Sequence, residues 1–171
     1  LELQQTHVVT LEGRGADRWG RGEVTIRELF RSSLRLRPDR IVIGEVRGGE
    51  GLDMIQAMTS GHAGSMSTLH ANTALDTLSR LETMALMSKV DIPLHALRSQ
   101  VASAIDLVVL MNRLPDGNRV ITEVAEVLPL DEHGHYRIQP MFRYELSDGD
   151  DGKRVGRLVW SGLKSTFRDE S

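Results

Sequence analysis

The pattern of apolar residues predicts alternating strands and helices in the N-terminal part of the chain. A helix is expected to begin at Thr25, because Thr25 and Glu28 have the spacing of a capping box and apolar residues then recur on one face. Residues 41–43 are an unbroken β-branched triplet, which is typical of a strand in a helix-covered parallel sheet. Further strands are predicted over 6–11 and 65–69, and further helices over 52–58, over 73–85 and from Pro93.

The last third of the chain has a different pattern, in which short apolar runs alternate with turn residues. Strands are predicted over 107–110, 120–128 and 136–142, with turns over 115–118 and 131–134. Residues 147–153 are acidic and rich in Gly, which predicts a mobile loop before a last strand near Trp160. The element order predicts an α/β fold, with a mostly parallel sheet flanked by helices and C-terminal antiparallel β-hairpins.

Composition narrows the functional classes. The chain has 171 residues, 40% hydrophobic and 26% charged, which suits one soluble domain. It has no cysteine, which excludes disulfides, Cys-ligated zinc and Cys-based catalysis. The formal charge of -3 argues against a nucleic-acid-binding domain. No apolar run approaches the roughly 20 residues of a membrane span. Because no signal peptide is visible and the first residue is Leu1, we expect a cytoplasmic segment of a longer protein.

The first candidate for chemistry is Glu45, which follows the β-branched triplet. A carboxylate after such a strand lies at the edge where open α/β sheets bind ligands. There it can hold Mg²⁺ through water or orient a water for attack on a phosphate. The alternative is a solvated glutamate at the end of a strand.

The second candidate is the segment 61–72, which carries His62 and His70 among small and hydroxyl-bearing residues. His70 directly precedes a predicted helix start, where backbone N–H groups favour anions. An imidazole there can donate a hydrogen bond to a phosphate. The alternative is a histidine that caps the helix or packs in the core.

Together the two motifs resemble the hexameric secretion ATPases of type II and type IV secretion and pilus assembly, most closely the Flp/Tad pilus assembly branch. Residues 36–48 resemble the Walker B segment of that family, including Gly44 where most P-loop ATPases have an Asp. Residues 59–80 resemble its His box. The likeness runs from Leu3 to about Phe142.

The resemblance implies part of a RecA-like P-loop ATPase core that binds ATP and Mg²⁺. It implies a homo-hexamer at the inner face of the cell membrane, working with an inner-membrane pilus or secretion platform protein. The C-terminal part of the motor domain would span 1–146, and an acidic loop and C-terminal tail would span 147–171.

The resemblance also implies residue roles. Glu45 would be the catalytic acid that activates water or holds Mg²⁺ through water. His70 would report the γ-phosphate, and Arg47 would pair with charge near the nucleotide or on the neighbouring subunit. The nucleotide loop would be supported by Gly44, His62 and Thr68.

The phosphate-binding loop (P-loop) of the family does not occur in the 171 residues of this chain. A P-loop has the run Gly-x-x-x-x-Gly-Lys-Ser/Thr, whose backbone amides and Lys surround the phosphates. No such run occurs here, and the similar segment 161–166 has Leu163 in place of the second Gly. We therefore expect the chain alone to be inactive. Because the net charge is negative, we also expect the parent protein to contact no nucleic acid directly.

Several basic residues have two interpretations. Arg27 and Arg31 lie four residues apart on one predicted helix, and Arg14 lies in the Gly-rich loop before it. They are either solvated or contact an adjacent subunit. The pair His133 and His135 has a spacing that a metal accepts, but it lacks a third ligand and is expected in a turn.

Two main functional hypotheses follow. The first is a hexameric ATPase motor of which this chain holds the Walker B and His-box part. The second is a non-catalytic assembly or interaction domain of a secretion system that keeps an old α/β core. A nucleic-acid motor is a third hypothesis, which the negative net charge disfavours.

Overall fold

The computed structural model describes residues 3–148 and 154–166. They fall into two compact units, one made of residues up to His70 with Leu81–Pro93, the other of Ala71–Arg80 with residues from Leu94 on. The described helices are α1 (Ile26–Ser33), α2 (Glu50–Met58), α3 (Ala74–Leu86) and α4 (Leu94–Ala104). The described strands are β1 (Val42–Ile43), β2 (Met66–Ser67), β3 (Leu107–Arg113), β4 (Arg119–Leu128), β5 (Arg137–Asp148) and β6 (Arg154–Trp160).

Helix α1 begins at the predicted capping box. The Glu28 amide donates to the Thr25 hydroxyl (3.2 Å), and the Thr25 amide donates to the Glu28 carboxylate (2.8 Å), so each residue satisfies a free donor of the other. Phe30 is the buried anchor of the helix. A short 3-10 helix, Leu34–Leu36, ends the segment before Pro38, as that proline predicts.

Strands β1 and β2 form a parallel pair, with Val42 opposite Met66 and Ile43 opposite Ser67. The predicted parallel arrangement is thereby confirmed. Ile43 is buried, together with Val46, Leu52 and Ile55 from the following loop and α2. Because the strands run in the same direction, the loops that leave them emerge at one edge.

The predicted strand over 6–11 is wrong. These residues have no regular structure, and Val9 leaves 58% of its surface exposed. An apolar run forms a strand only where a neighbouring strand accepts its backbone hydrogen bonds, and no described strand pairs with this segment.

The second unit contains an antiparallel sheet with the strand order β3-β4-β5-β6, which confirms the predicted hairpins. The turn between β3 and β4 is closed by the Leu114 amide, which donates to the Asn118 carbonyl (2.8 Å). Strand β5 runs beyond Phe142 and includes Ser147 and Asp148, the first two residues of the predicted acidic loop. Residues 149–153 of that loop lie outside the described residues.

The segment after β6 folds back along the sheet. The Thr166 amide donates to Oε1 of Glu126 (2.8 Å), and the Gln139 side chain donates to the Lys164 carbonyl (2.8 Å). Glu126 is only 1% exposed, and a buried carboxylate is costly unless hydrogen bonds compensate it. This segment therefore stabilises the sheet. None of the helices in the described ranges is both long and apolar enough to cross a bilayer.

Candidate functional site

The loops that leave β1 and β2 are joined by hydrogen bonds. The Val46 amide donates to the Thr68 carbonyl (2.9 Å), and the Thr68 hydroxyl donates to the Gly44 carbonyl. Gly44 and Thr68 therefore hold the two loops together. These hydrogen bonds also bring Glu45, which follows Gly44, close to His70, which lies two positions after Thr68.

The side chains of Glu45 and His70 contact each other. Oε1 of Glu45 lies 3.2 Å from Nε2 of His70, and its Oε2 accepts a hydrogen bond from Nη2 of Arg47 at 2.5 Å. The Glu45 side chain is 26% exposed, whereas the Arg47 and His70 side chains are 77% and 86% exposed. A half-buried carboxylate thus stands between two solvent-accessible nitrogen groups.

The electrostatics of this cluster favour an ionised Glu45. The hydrogen bond from the Arg47 side chain is the main influence that holds the pKa of Glu45 below its ordinary value of 4.5, and desolvation opposes it. The charges of Arg47 and His70 add to the lowering. The same hydrogen bond raises the pKa of Arg47. The site therefore carries a carboxylate at neutral pH.

The donor set of this cluster fits a magnesium-bound phosphate group. An ionised carboxylate is a ligand or water partner that Mg²⁺ accepts, and guanidinium and imidazole groups bind phosphate oxygens. Within residues 3–148 and 154–166 no group of three or more His, Cys, Asp or Glu is placed to form a metal site by itself. Glu45 would accordingly hold Mg²⁺ through water, with the phosphates supplying other ligands.

His62 lies at the other end of β2. It precedes the strand, in the turn after α2, where its amide donates to the Ala57 carbonyl (3.3 Å). Ser65 anchors this turn, since its hydroxyl donates to the His62 carbonyl (2.8 Å) and accepts from the Ile41 amide (3.0 Å). The structure thus does not bring His62 to the Glu45 cluster.

Arg27 and Arg31 share one partner in the same chain. Nε of Arg27 lies 2.5 Å from Oδ2 of Asp53, and Nη2 of Arg31 lies 3.0 Å from Oδ1. The Asp53 side chain is 12% exposed, so the two arginines neutralise a largely buried charge. This ion-pair group links α1 to α2.

Arg14 stabilises the hairpin that precedes α1. Its Nε donates to the Gly22 carbonyl (2.8 Å), and its backbone pairs with Val24 in an isolated antiparallel bridge. Assignment of Arg14, Arg27 or Arg31 to a neighbouring subunit stays a prediction. For the two helix arginines, such a contact would compete with Asp53.

Sequence reasoning missed two acidic residues that organise this unit, Asp53 and Glu50. The Glu50 carboxylate accepts hydrogen bonds from the amides of Arg47 (2.8 Å) and Gly48 (2.9 Å). An acid in the first turn of a helix is a known signal of amide capping, and Glu50 opens α2. Asp53 also lies in the first turn of α2, but this position does not reveal its arginine partners, which are 22 and 26 residues away.

Comparison with known proteins identifies the family. The model of the type II/IV secretion system protein family matches residues 1–140. This chain belongs to that family. The match includes the β1 and β2 loops and the Glu45 cluster, and it confirms that the chain resembles the type II/IV secretion family. The assignment of these loops as Walker B and His box stays a prediction.

Individual relatives come from conjugation and type IV secretion. A putative conjugal transfer protein of Mycobacterium tuberculosis is 42% identical over 125 residues, covering 73% of this chain and 35% of the relative. The type IV secretion system protein PtlH of Bordetella pertussis is 40% identical over 116 residues, covering 66% of this chain and 34% of the relative. The chain spans about a third of the length of these relatives.

A solved structure has the same fold. The crystal structure of the VirB11 ATPase from the Brucella suis type IV secretion system, in complex with sulphate, superposes with a TM-score of 0.56 and 37% sequence identity. The superposed region covers 60% of this chain and 32% of the VirB11 chain. The α/β fold of this secretion family member is thus confirmed.

Proposed function

We propose that this chain is the Walker B and His-box segment of a hexameric ATPase that powers secretion or pilus assembly by hydrolysing ATP. The observation that carries the proposal is the meeting of Glu45, Arg47 and His70 beyond the carboxyl ends of two parallel strands. The family and the VirB11 likeness support it.

The geometry suggests how the work is divided among the three side chains. The hydrogen bond from Arg47 lowers the pKa of Glu45, and the ionised carboxylate would accept a hydrogen bond from the attacking water and orient it. His70 and Arg47 are exposed enough to reach phosphate oxygens. Mg²⁺ bound with ATP would neutralise part of the phosphate charge. Glu45 would hold a water molecule that coordinates this ion.

Other parts of the proposal concern the whole protein. We propose a homo-hexamer at the cytoplasmic face of the membrane that works with an inner-membrane platform protein, in the Flp/Tad branch or a type IV system. The motor part would cover 1–146, followed by an acidic loop and C-terminal strand or tail over 147–171. The strand β6 of this second part pairs with β5, so the two parts share one sheet. Gly44 and Thr68 would support the nucleotide loop, Gly44 through its carbonyl and Thr68 through its hydroxyl.

The first prediction concerns Glu45→Gln in a protein where this chain is joined to a phosphate-binding loop. We expect turnover of ATP to fall at least about a hundredfold, because the neutral amide orients water and Mg²⁺ poorly. The Kd for ATP should change little. Steady-state hydrolysis and ATP titration measure both quantities.

The matched control for this experiment is Glu132→Gln, since Glu132 is 87% exposed in a turn of the other unit. Its turnover should equal that of the parent protein. If Glu45→Gln hydrolyses ATP at the parent rate, Glu45 has no catalytic role, and the non-catalytic assembly domain becomes the better hypothesis.

The second prediction is that the 171-residue chain alone neither hydrolyses ATP nor binds it at micromolar concentration. Its residues contain no Gly-x-x-x-x-Gly-Lys run, and oriented phosphate-binding groups supply most of the electrostatic stabilisation in such sites. Calorimetric titration with a non-hydrolysable ATP analogue is the measurement. Micromolar binding would contradict the expectation.

A further inference from the structure

We propose that Glu50 is a positioning residue of this site, because it fixes the backbone of Arg47 in the place from which the Arg47 guanidinium reaches Glu45. The inference rests on the proposed function, in which Glu45 is the residue that acts on water. Glu50 itself acts only through Arg47.

The contacts of Glu50 carry the proposal. Its Oε1 accepts hydrogen bonds from the amides of both Arg47 (2.8 Å) and Gly48 (2.9 Å). A Cβ placed on Gly48 would lie only 3.2 Å from Oε2, so the loop closes tightly around the carboxylate. A carboxylate accepting amide hydrogen bonds makes stronger bonds than a neutral acceptor.

The loop is also confined at Gly49. A Cβ on Gly49 would lie 2.8 Å from the Cα of Ser88, which shows how closely the backbone passes the end of α3. The residue that follows the two amides bound by Glu50 is therefore packed against the Ser88 backbone.

A fixed backbone matters because the Arg47 side chain is otherwise little constrained. It is 77% exposed, and exposed ion pairs are weakened by the entropy of holding a long side chain in one place. When the backbone is already fixed, less entropy is lost on forming the bond to Glu45. Loss of the Glu50 acceptor should therefore weaken the pair without touching either partner.

The experiment measures hydrogen exchange of arginine guanidinium protons by NMR in the 171-residue chain. Arg47 bonds Glu45 through Nη2, and Arg31 bonds Asp53 through Nη2 in the same unit, so Arg31 is an internal reference. Glu45→Ala defines the exchange rate of Arg47 without its acceptor. Glu50→Ala removes the acceptor for the loop amides, and Glu50→Gln keeps an oxygen there.

We expect Glu50→Ala to accelerate exchange at Arg47 by about threefold, close to the rate in Glu45→Ala, with the Arg31 rate unchanged. Glu50→Gln should retain most of the protection, since its amide oxygen still accepts. A general loss of structure would affect both arginines, whereas loss of positioning affects only Arg47.

The outcomes separate this inference from the proposed function. If Glu45→Ala accelerates exchange but Glu50→Ala does not, Glu50 has no positioning role and the Glu45 site stands. If Glu45→Ala itself changes nothing, the Glu45–Arg47 pair does not form, which overturns the inference and the proposed site geometry. If Glu50→Ala also accelerates exchange at Arg31, Glu50→Asp is measured next, because its shorter side chain keeps the negative charge but does not reach the amides of Arg47 and Gly48. Faster exchange at Arg47 alone in Glu50→Asp supports the inference. Exchange at Arg47 at the native rate in Glu50→Asp overturns it.

Discussion

Gly49 illustrates how a single residue without a side chain determines the shape of the site. Its backbone has ordinary helical geometry (φ -62°), so its conformation alone does not require Gly. The Cβ of any other residue would meet backbone atoms of Ser88 at 2.8 and 3.0 Å, and backbone atoms do not move aside as a flexible side chain does. The requirement for Gly therefore comes from close packing.

The third prediction is that Gly49→Ala lowers the free energy of unfolding by about 1–3 kcal/mol, the usual cost of overpacking. Gly15→Ala is the matched control, because no heavy atom lies within 4 Å of its Cβ position. It should change stability by less than about 1 kcal/mol in either direction. Urea-induced unfolding measures both. Equal stability of the two variants would show that the loop gives way to the methyl group.

At the residue scale, sequence reasoning identified Glu45, Arg47 and His70 as candidates from two short motifs. It did not identify Glu50 as a partner of Arg47. The position of Glu50 in the first turn of α2 indicates amide capping, but it does not indicate that one of the amides belongs to Arg47.

The link between α1 and α2 shows what an element contributes. Arg27 and Arg31 are one helical turn apart, which puts both on the face that meets Asp53 of α2. Their spacing in the sequence predicts one basic helix face, formed by Arg27 and Arg31. The interpretation of this face as solvated is incomplete, because both arginines pair with Asp53 in the same chain.

The fourth prediction concerns Asp53→Asn, which keeps the shape and removes the charge that both arginines share. We expect a loss of about 1–2 kcal/mol, because charge-assisted hydrogen bonds at a largely buried carboxylate are weakened. The exposed Asp39 supplies the control variant Asp39→Asn, with little expected effect. Thermal unfolding of the two variants is compared with that of the parent chain. An Asp53→Asn transition that coincides with that of Asp39→Asn would refute this account.

Elements with a complete local signal were predictable, and those that depend on a distant partner were not. The capping box of α1 and the hairpin turns contain their own hydrogen-bond partners within a few residues. The segment 6–11 has an apolar pattern that suits a strand, but a pattern cannot supply a neighbouring strand.

At the scale of the whole molecule, stability depends on pH through four carboxylates within residues 3–148 and 154–166. Backbone hydrogen bonds are the largest cause that lowers the pKa of Asp17, Glu28 and Asp131, and the Arg47 side chain is the largest cause for Glu45. A carboxylate with a lowered pKa in the folded state holds fewer protons than in the unfolded chain. It stabilises the fold above its ordinary pKa, and this contribution is lost as the pH falls through the lower folded value.

The fifth prediction is therefore that stability is retained at pH 6 and falls as the pH is lowered from about 4.5 towards 3. The ordinary values of 3.8 for Asp and 4.5 for Glu mark the top of this window. Urea midpoints at several pH values measure the trend. Glu28→Gln should make the decrease shallower, because its amide does not titrate. A midpoint that stays constant from pH 6 to pH 3 would contradict the expectation.

The sequence by itself determined most of the element types, the fold class and the family, because apolar periodicity, caps and the two short motifs are local properties of the chain. It also predicted that Glu45 and His70 act on one phosphate, and the structure brings them into contact across 25 positions. Only the tertiary structure decided the other partners: Asp53 for Arg27 and Arg31, and Glu126 for Thr166. Such pairs depend on how the elements pack against each other. Packing is a property of the folded chain in three dimensions, and no window of the sequence contains it.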